Sequence, residues 1–133
     1  MSLEQAVHQR WAAAGALASL LPIENLTTGI SCGESLPYAT MVRKKGRTSL
    51  RTNAGATLEE VILRFNVWHD DHDAGRDIAD EVKAAFDGAG FSLSSGASVI
   101  RMRRTEEGSS QSDDGTWHFV LEFLVHVYLP TGA

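Results

Sequence analysis

Residues 58–86 read LEEVILRFNVWHDDHDAGRDIADEVKAAF, and this stretch decides the fold. Val61, Leu63, Phe65 and Val67 alternate with Ile62, Arg64, Asn66 and Trp68. That is the period-two pattern of a strand with one strongly apolar face. The pattern stops at His69-Asp70-Asp71-His72-Asp73, which supplies candidate N-caps and places negative charge where a helix start favours it. Ile78, Val82, Ala85 and Phe86 then fall on one helical stripe, while Arg76, Asp77, Asp80 and Glu81 lie mostly away from it. A strand, a sharp acidic corner and an amphipathic helix returning onto the strand's apolar face follow from these residues.

The rest of the chain is small enough to be organised around this unit. Its 133 residues correspond to one domain, 1–133, large enough to bury a core without staples. Hydrophobic residues make up 43% and charged residues 22%, so wholesale disorder is excluded. The net charge of −5 argues against a general nucleic-acid coat protein. Basic residues nevertheless cluster at Arg43, Lys44, Lys45, Arg47 and Arg51 and again at Arg101, Arg103 and Arg104. Cys32 is the only cysteine, which rules out an internal disulfide and fits a reducing compartment. The start has no signal-peptide pattern, and no apolar run approaches the roughly 20 residues of a membrane span. No membrane partner is expected, and the protein is expected in the cytoplasm when made.

Outward from the central unit, Ser2 and Gln5 resemble a capping box, and Leu3, Val7, Trp11, Ala14, Leu17 and Leu21 predict one first helix, weakened at Gly15 and ended by Pro22. Residues 23–36 read as a loop with a short extended piece near Asn25 to Thr28. Tyr38 to Lys45 predicts a strand, and polar, glycine-punctuated Gly46 to Thr57 predicts a long connection. Gly88 and Gly90 follow the central helix, a third strand begins near Ser98, and Glu106 to Gly115 predicts an exposed or disordered loop. Trp117 to Leu129 alternates as the longest strand. The expected order is α-β-β-α-β-β without internal repeats: an α+β fold with a four-stranded antiparallel or mixed sheet and two helices packed on one face. The other face of the last strand carries Val120, Leu124 and Tyr128, joined by Ile62 and Trp68. This is more apolar than a solvated sheet face, so a partner, or alternatively the 23–36 segment, is expected to cover it.

Catalytic patterns are missing from this picture. The His69 to Asp73 corner has metal-ligand residue types, and a metal-dependent hydrolase using His69, Asp70 and His72 is one alternative function. Capping explains those residues more economically, because the spacing matches no metalloprotease motif and no distant third ligand is evident. His118, Glu122 and His126 share a strand face, but each is about 13 Å from the next at strand rise, too far to share an ion. Cys32 has no neighbouring histidine in sequence, no serine sits in a Gly-x-Ser-x-Gly elbow, and no phosphate-binding glycine pattern is present. The basic clusters allow a second alternative, a small nucleic-acid-binding module, but aromatic interleaving for base stacking is missing and direct binding is disfavoured. No cofactor is expected.

Taken together, several pieces resemble the tail completion proteins, or tail terminators, of long-tailed bacteriophages and prophages. They are the start Met1-Ser2-Leu3-Glu4-Gln5-Ala6-Val7, Leu36-Pro37-Tyr38-Ala39 opening a strand, Arg64-Phe65-Asn66-Val67-Trp68 ahead of the Ala74 to Phe86 helix, Val99-Ile100-Arg101-Met102, and the long last strand after a polar loop. The resemblance covers most of the chain in order. It implies a structural, non-enzymatic subunit of a homo-oligomeric ring, typically a hexamer, at the head-proximal end of the tail tube. Such a ring ends tube polymerisation and joins tail to head, with the tail tube protein and the head connector protein as partners. It also implies assembly in the bacterial host cytoplasm into a virion or prophage-derived particle. Ring interfaces are heterologous, so unlike surfaces must meet. The basic Arg43, Lys44, Lys45, Arg101, Arg103 and Arg104 against the acidic Asp70, Asp71 and Asp73 are the expected pair.

Overall fold

The computed structural model describes residues 2–29, 35–53, 55–93 and 96–130. At its centre β3 (Thr57–His69) and β6 (Trp117–Leu129) pair antiparallel in one uninterrupted register, from Thr57 beside Leu129 to His69 beside Trp117. Alternation then sets Val61, Leu63, Phe65 and Val67 beside Val125, Phe123, Leu121 and Phe119 on one face, all of them buried. Full burial of a large apolar side chain contributes about 1.5–3 kcal/mol, so this double row is the main source of cohesion.

The helices lie on that face. α3 (His72–Phe86) starts at the acidic corner, where the Asp71 carboxylate accepts the Ala74 N–H at 2.9 Å. It buries Ile78, Ala79, Val82 and Phe86. Phe86 stacks on Phe65 at 5.4 Å, and Trp11 of α1 (Leu3–Ala13) lies 6.1 Å from Phe65 and 6.4 Å from Phe86. The buried Trp11 indole donates to the Leu21 carbonyl at 2.9 Å, fastening the end of α2 (Gly15–Leu20) to the core. The expected capping box opens α1, with Gln5 N–H on Ser2 Oγ and Ser2 N–H on Gln5 Oε1.

β2 (Tyr38–Arg51) flanks β3, and β5 (Ser98–Gln111) flanks β6. Two short strands complete the sheet: β1 (Leu26–Thr28), parallel to β2, and β4 (Phe91–Ser92), antiparallel to β5. The strand order is β1-β2-β3-β6-β5-β4.

The α+β class and the helices on one face agree with the sequence, but the expected four strands and two helices become a curled sheet of six strands and three helices. The short extended piece expected near Asn25 to Thr28 is β1, which joins the sheet as a strand, while β4 is too short for alternation to register. The single first helix breaks because Ala14, ahead of Gly15, adopts extended backbone at φ −82°, ψ 92°.

The two polar connections are corrected as well. β2 continues to Arg51, leaving only the turn Thr52 to Ala56, and β5 continues to Gln111, leaving Ser112 to Thr116. Gly55 and Gly115 take the positive φ those turns need, at 90° and 89°. These strand halves bury almost nothing and are held by backbone ladders to β3 and β6, so their side chains give no sign of them. The β3–β6 register sets the two turns at opposite ends of the sheet. Register shifts between Arg43 and Lys45, Thr48 and Leu50, Val99 and Arg101, and Arg104 and Glu106 mark bulges in the outer strands, each bending its strand and sharpening the twist.

Two glycines give opposite expectations. A Cβ on Gly75 would sit 2.5 Å from Phe119 Cε2 and 3.1 Å from His69 Cβ, where helix and sheet meet. Gly75→Ala should therefore cost about 1–3 kcal/mol in urea denaturation. Gly15 has nothing within 4 Å, and Gly15→Ala should raise stability by about 0.4–1 kcal/mol. Equal effects from the two would contradict this packing.

Candidate functional site

The sheet face turned away from the helices is crossed by rungs of four residues, one each from β2, β3, β6 and β5. Tyr38, Trp68, His118 and Ser110 form the first, followed by Thr40, Asn66, Val120 and Gly108, then Val42, Arg64, Glu122 and Glu106. Lys45, Ile62, Leu124 and Arg103 come next, and then Arg47, Glu60, His126 and Arg101. The bulge between Arg43 and Lys45 brings Lys44 onto this face between rungs.

The rungs differ in chemistry. Tyr38 stacks on Trp68 at 4.8 Å, and Trp68 on His118 at 4.7 Å with the rings 5° from parallel. His118 Nε2–H donates to Asn66 Oδ1 at 2.9 Å, and Asn66 Nδ2 donates to Thr40 Oγ1 at 3.2 Å. Glu122 is only 6% exposed and accepts Lys44 Nζ at 2.8 Å, with Arg64 Nε 3.4 Å away. Glu60 accepts Arg47 at 2.7 Å and lies 3.5 Å from His126 Nε2. The face expected to be too apolar for water is thus an alternation of ionic and apolar rungs. In the 23–36 segment, Leu26 packs into the helix-side core and Leu36 sits by Tyr38 and Trp68. Residues 30–34, with Cys32 among them, lie outside the described residues.

The nine interface candidates are distributed over three places. Arg43 turns to the helix side and forms a two-point ion pair with Glu4 at 2.8 and 3.0 Å, while Lys44 serves Glu122 and Lys45 stays exposed. On the far edge of the four long strands, Arg101 and Arg103 are exposed on the open face. Arg104 instead pairs with Glu107 at 3.2 Å, and its backbone N–H donates to Asp87. The two basic clusters therefore lie on opposite outer strands, with Lys45 and Arg103 at the two ends of one rung. Asp70, Asp71 and Asp73 remain together at the start of α3, with Asp71 committed to capping. His69 Nδ1 accepts the Asp71 N–H, and His72 meets Trp117 edge-on at 4.6 Å, so the two imidazoles are engaged separately. Among the described residues, no group of three or more His, Cys, Asp or Glu side chains is placed to hold a metal ion, and no helix is long and apolar enough to cross a membrane.

Sequence reasoning missed the backbone edges. β1 covers only Ala39 to Met41 of β2, and β4 covers only Ser98 and Val99 of β5. Among the described residues, Val42 to Arg51 has no strand on its outer side, whereas on β5 the Gly88 N–H and the Ala89 carbonyl take the outer backbone groups of Met102 and the Asp87 carboxylate takes the Arg104 N–H, which leaves Thr105 to Gln111 as the open stretch. The crowding of Val42 to Arg51 with Lys and Arg was the available signal, since charged side chains are a common way of guarding an open edge. Beside the β5 edge, Lys83 bridges Asp80 at 3.1 Å and Glu107 at 2.8 Å. The Glu107 hydrogen bond raises the Lys83 pKa, and the Lys83 hydrogen bond lowers that of Asp80.

Burial first, and the Arg64 charge second, push the His118 imidazole below its usual range. The unfolded chain then takes up this proton before the folded one, so stability rises with pH across the interval. The contribution is complete above the unfolded imidazole value of about 6.5 and is lost as pH falls toward the folded value. Urea midpoints measured through that interval should fall on acidification, and His118→Gln should flatten the slope. An unchanged slope in that variant would assign it to other groups.

Comparison with known proteins agrees with this architecture. No curated protein sequence matches the chain at significance. A chain of the solved structure described as "Virion of native gene transfer agent (GTA) particle" superposes with a TM-score of 0.78 at 17% identity, covering 96% of each chain. That identity supports a shared fold. The family model for Tail completion protein gp17 matches residues 5–128, nearly the whole of the described fold, and the chain belongs to that family.

Proposed function

We propose that this chain, a structural tail protein by its family, forms a homo-oligomeric ring, a hexamer, at the head-proximal end of a tail tube. There it ends tube polymerisation and joins tail to head, contacting the tail tube protein on one side and the head connector protein on the other. Its role is structural rather than enzymatic. Assembly takes place in the bacterial host cytoplasm, and the ring stays in the virion or prophage-derived particle.

The observation that carries this reading is a pair of open edges, Val42 to Arg51 on β2 and Thr105 to Gln111 on β5. Each neighbour in the series β2, β3, β6, β5 is antiparallel to the next, so β2 and β5 run in opposite directions. Around a cyclic axis, β5 of one subunit therefore meets β2 of the next in antiparallel sense, and closing the circle pairs these two open stretches. The interface is heterologous, with Arg43, Lys44 and Lys45 on one side and the β5–α3 flank on the other. Level pairing would set Arg47 against Arg101 and Lys45 against Arg103. The stagger that tilted strands require in a closed barrel relieves this, and a shift of about four residues brings Glu106 and Glu107 level with Lys45 to Arg47. Asp70 and Asp73 extend the acidic surface at the start of α3.

Light scattering over a concentration range, with and without tail tube protein, tests the proposal. A mass near six times the 14.4 kDa chain, intrinsic or induced by the tube protein, is expected. Lys45→Glu with Arg47→Glu should abolish it while leaving the circular dichroism spectrum unchanged. A monomer indifferent to tube protein would refute the ring.

A further inference from the structure

We infer that the open face docks an acidic amphipathic helix of a partner protein, held between two cationic columns over an aliphatic floor. The columns are Lys45 and Arg47 on β2 and Arg103 and Arg101 on β5. Ile62 and Leu124 lie between them on the Lys45–Arg103 rung. Three interstrand spacings separate the columns, about 14 Å, and a helix with its side chains measures about 10–12 Å across. A helix laid along the strands fits that width. Its apolar stripe would meet Ile62 and Leu124, an aliphatic rung set between the Glu60–His126 and Arg64–Glu122 rungs, and carboxylates on its flanks would meet the columns.

The charges are arranged for this occupant. Lys45, Arg101 and Arg103 are exposed, and no carboxylate among the described residues pairs with them. Arg47 shares Glu60, so the floor's own carboxylate is already neutralised. A depression of about 220 Å³ is lined by Lys45, Arg47, Ile62 and Leu124 together with Gly46 and Glu60, giving an aliphatic side chain a place to insert. A nucleic-acid backbone fits less well, because its phosphates and sugars offer no apolar side chain to the Ile62–Leu124 rung. The face's aromatic rings are stacked on one another at the Tyr38–Trp68–His118 rung, away from the columns and closed to bases.

This site needs one subunit only and goes beyond the ring reading; Lys45 and Arg47 also serve the proposed ring interface, so the test rests on the Arg101–Arg103 column and on the Ile62–Leu124 rung. Its probe is a fluorescein-labelled helical peptide with a leucine stripe flanked by glutamates, followed by fluorescence anisotropy against the full chain. Binding should weaken with salt, and should weaken about tenfold both in Arg101→Gln/Arg103→Gln and in Ile62→Gln/Leu124→Gln. It should disappear when the glutamates of the peptide are replaced by lysines. Light scattering on the same samples separates loss of docking from loss of a ring. The arginines are exposed and their variant keeps the fold, so it decides alone if the floor variant unfolds. No binding, binding unchanged in the arginine variant, or tighter binding of a duplex DNA of equal charge would overturn the inference.

Discussion

Everything in this fold depends on the uninterrupted pairing of β3 with β6. These two strands are distant in sequence, yet their register alone aligns eight buried side chains into a double row. A slip by one residue would turn that row to the opposite face and present Arg64, Glu122 and His118 to the helices. The helices rest on the row, and the outer strands take their register from its two members. Trp11 makes the arrangement cooperative, because one side chain touches Phe65 and Phe86 and also fixes Leu21 by its indole hydrogen bond.

The sequence was legible where side chains alternate between burial and exposure. Val61 to Val67 and Phe119 to Val127 declared their strands, the Ile78 to Phe86 stripe declared its helix, and Ser2 with Gln5 declared a cap. It was illegible where backbone alone decides. Thr48, Ser49 and Arg51, or Ser109, Ser110 and Gln111, carry no burial signal and become strand because β3 and β6 lie beside them. Ala14 shows the same limitation in a helix: the apolar stripe runs through it, but the chain bends there. The candidate site was legible as composition and illegible as arrangement. Arg43, Lys44 and Lys45 are one run in sequence, yet a bulge sends Arg43 to Glu4 and Lys44 to Glu122 and leaves Lys45 exposed, and Arg103 lies three strands from Lys45 on the same rung.

Charge is sorted by face. On the helix side, Arg43, Arg76, Lys83 and Arg104 are each matched to a carboxylate of the same subunit. On the open side, Lys45, Arg101 and Arg103 are left over, although the whole chain carries −5. Exposed pairs of the first kind add little to stability. Their effect is to leave the open face as the place where unspent positive potential remains available to another molecule.

The opposed positions of the two hairpin turns give the subunit a direction. One end collects Asp113 and Asp114 of the β5–β6 turn beside Asp70, Asp71 and Asp73, while the other carries Arg51, Thr52 and Asn53. Any rotation axis running roughly along the strands carries this difference into the whole assembly, producing one acidic rim and one that is not. In the proposed ring this polarity would make the object a vector rather than a washer, with two sides of unlike charge.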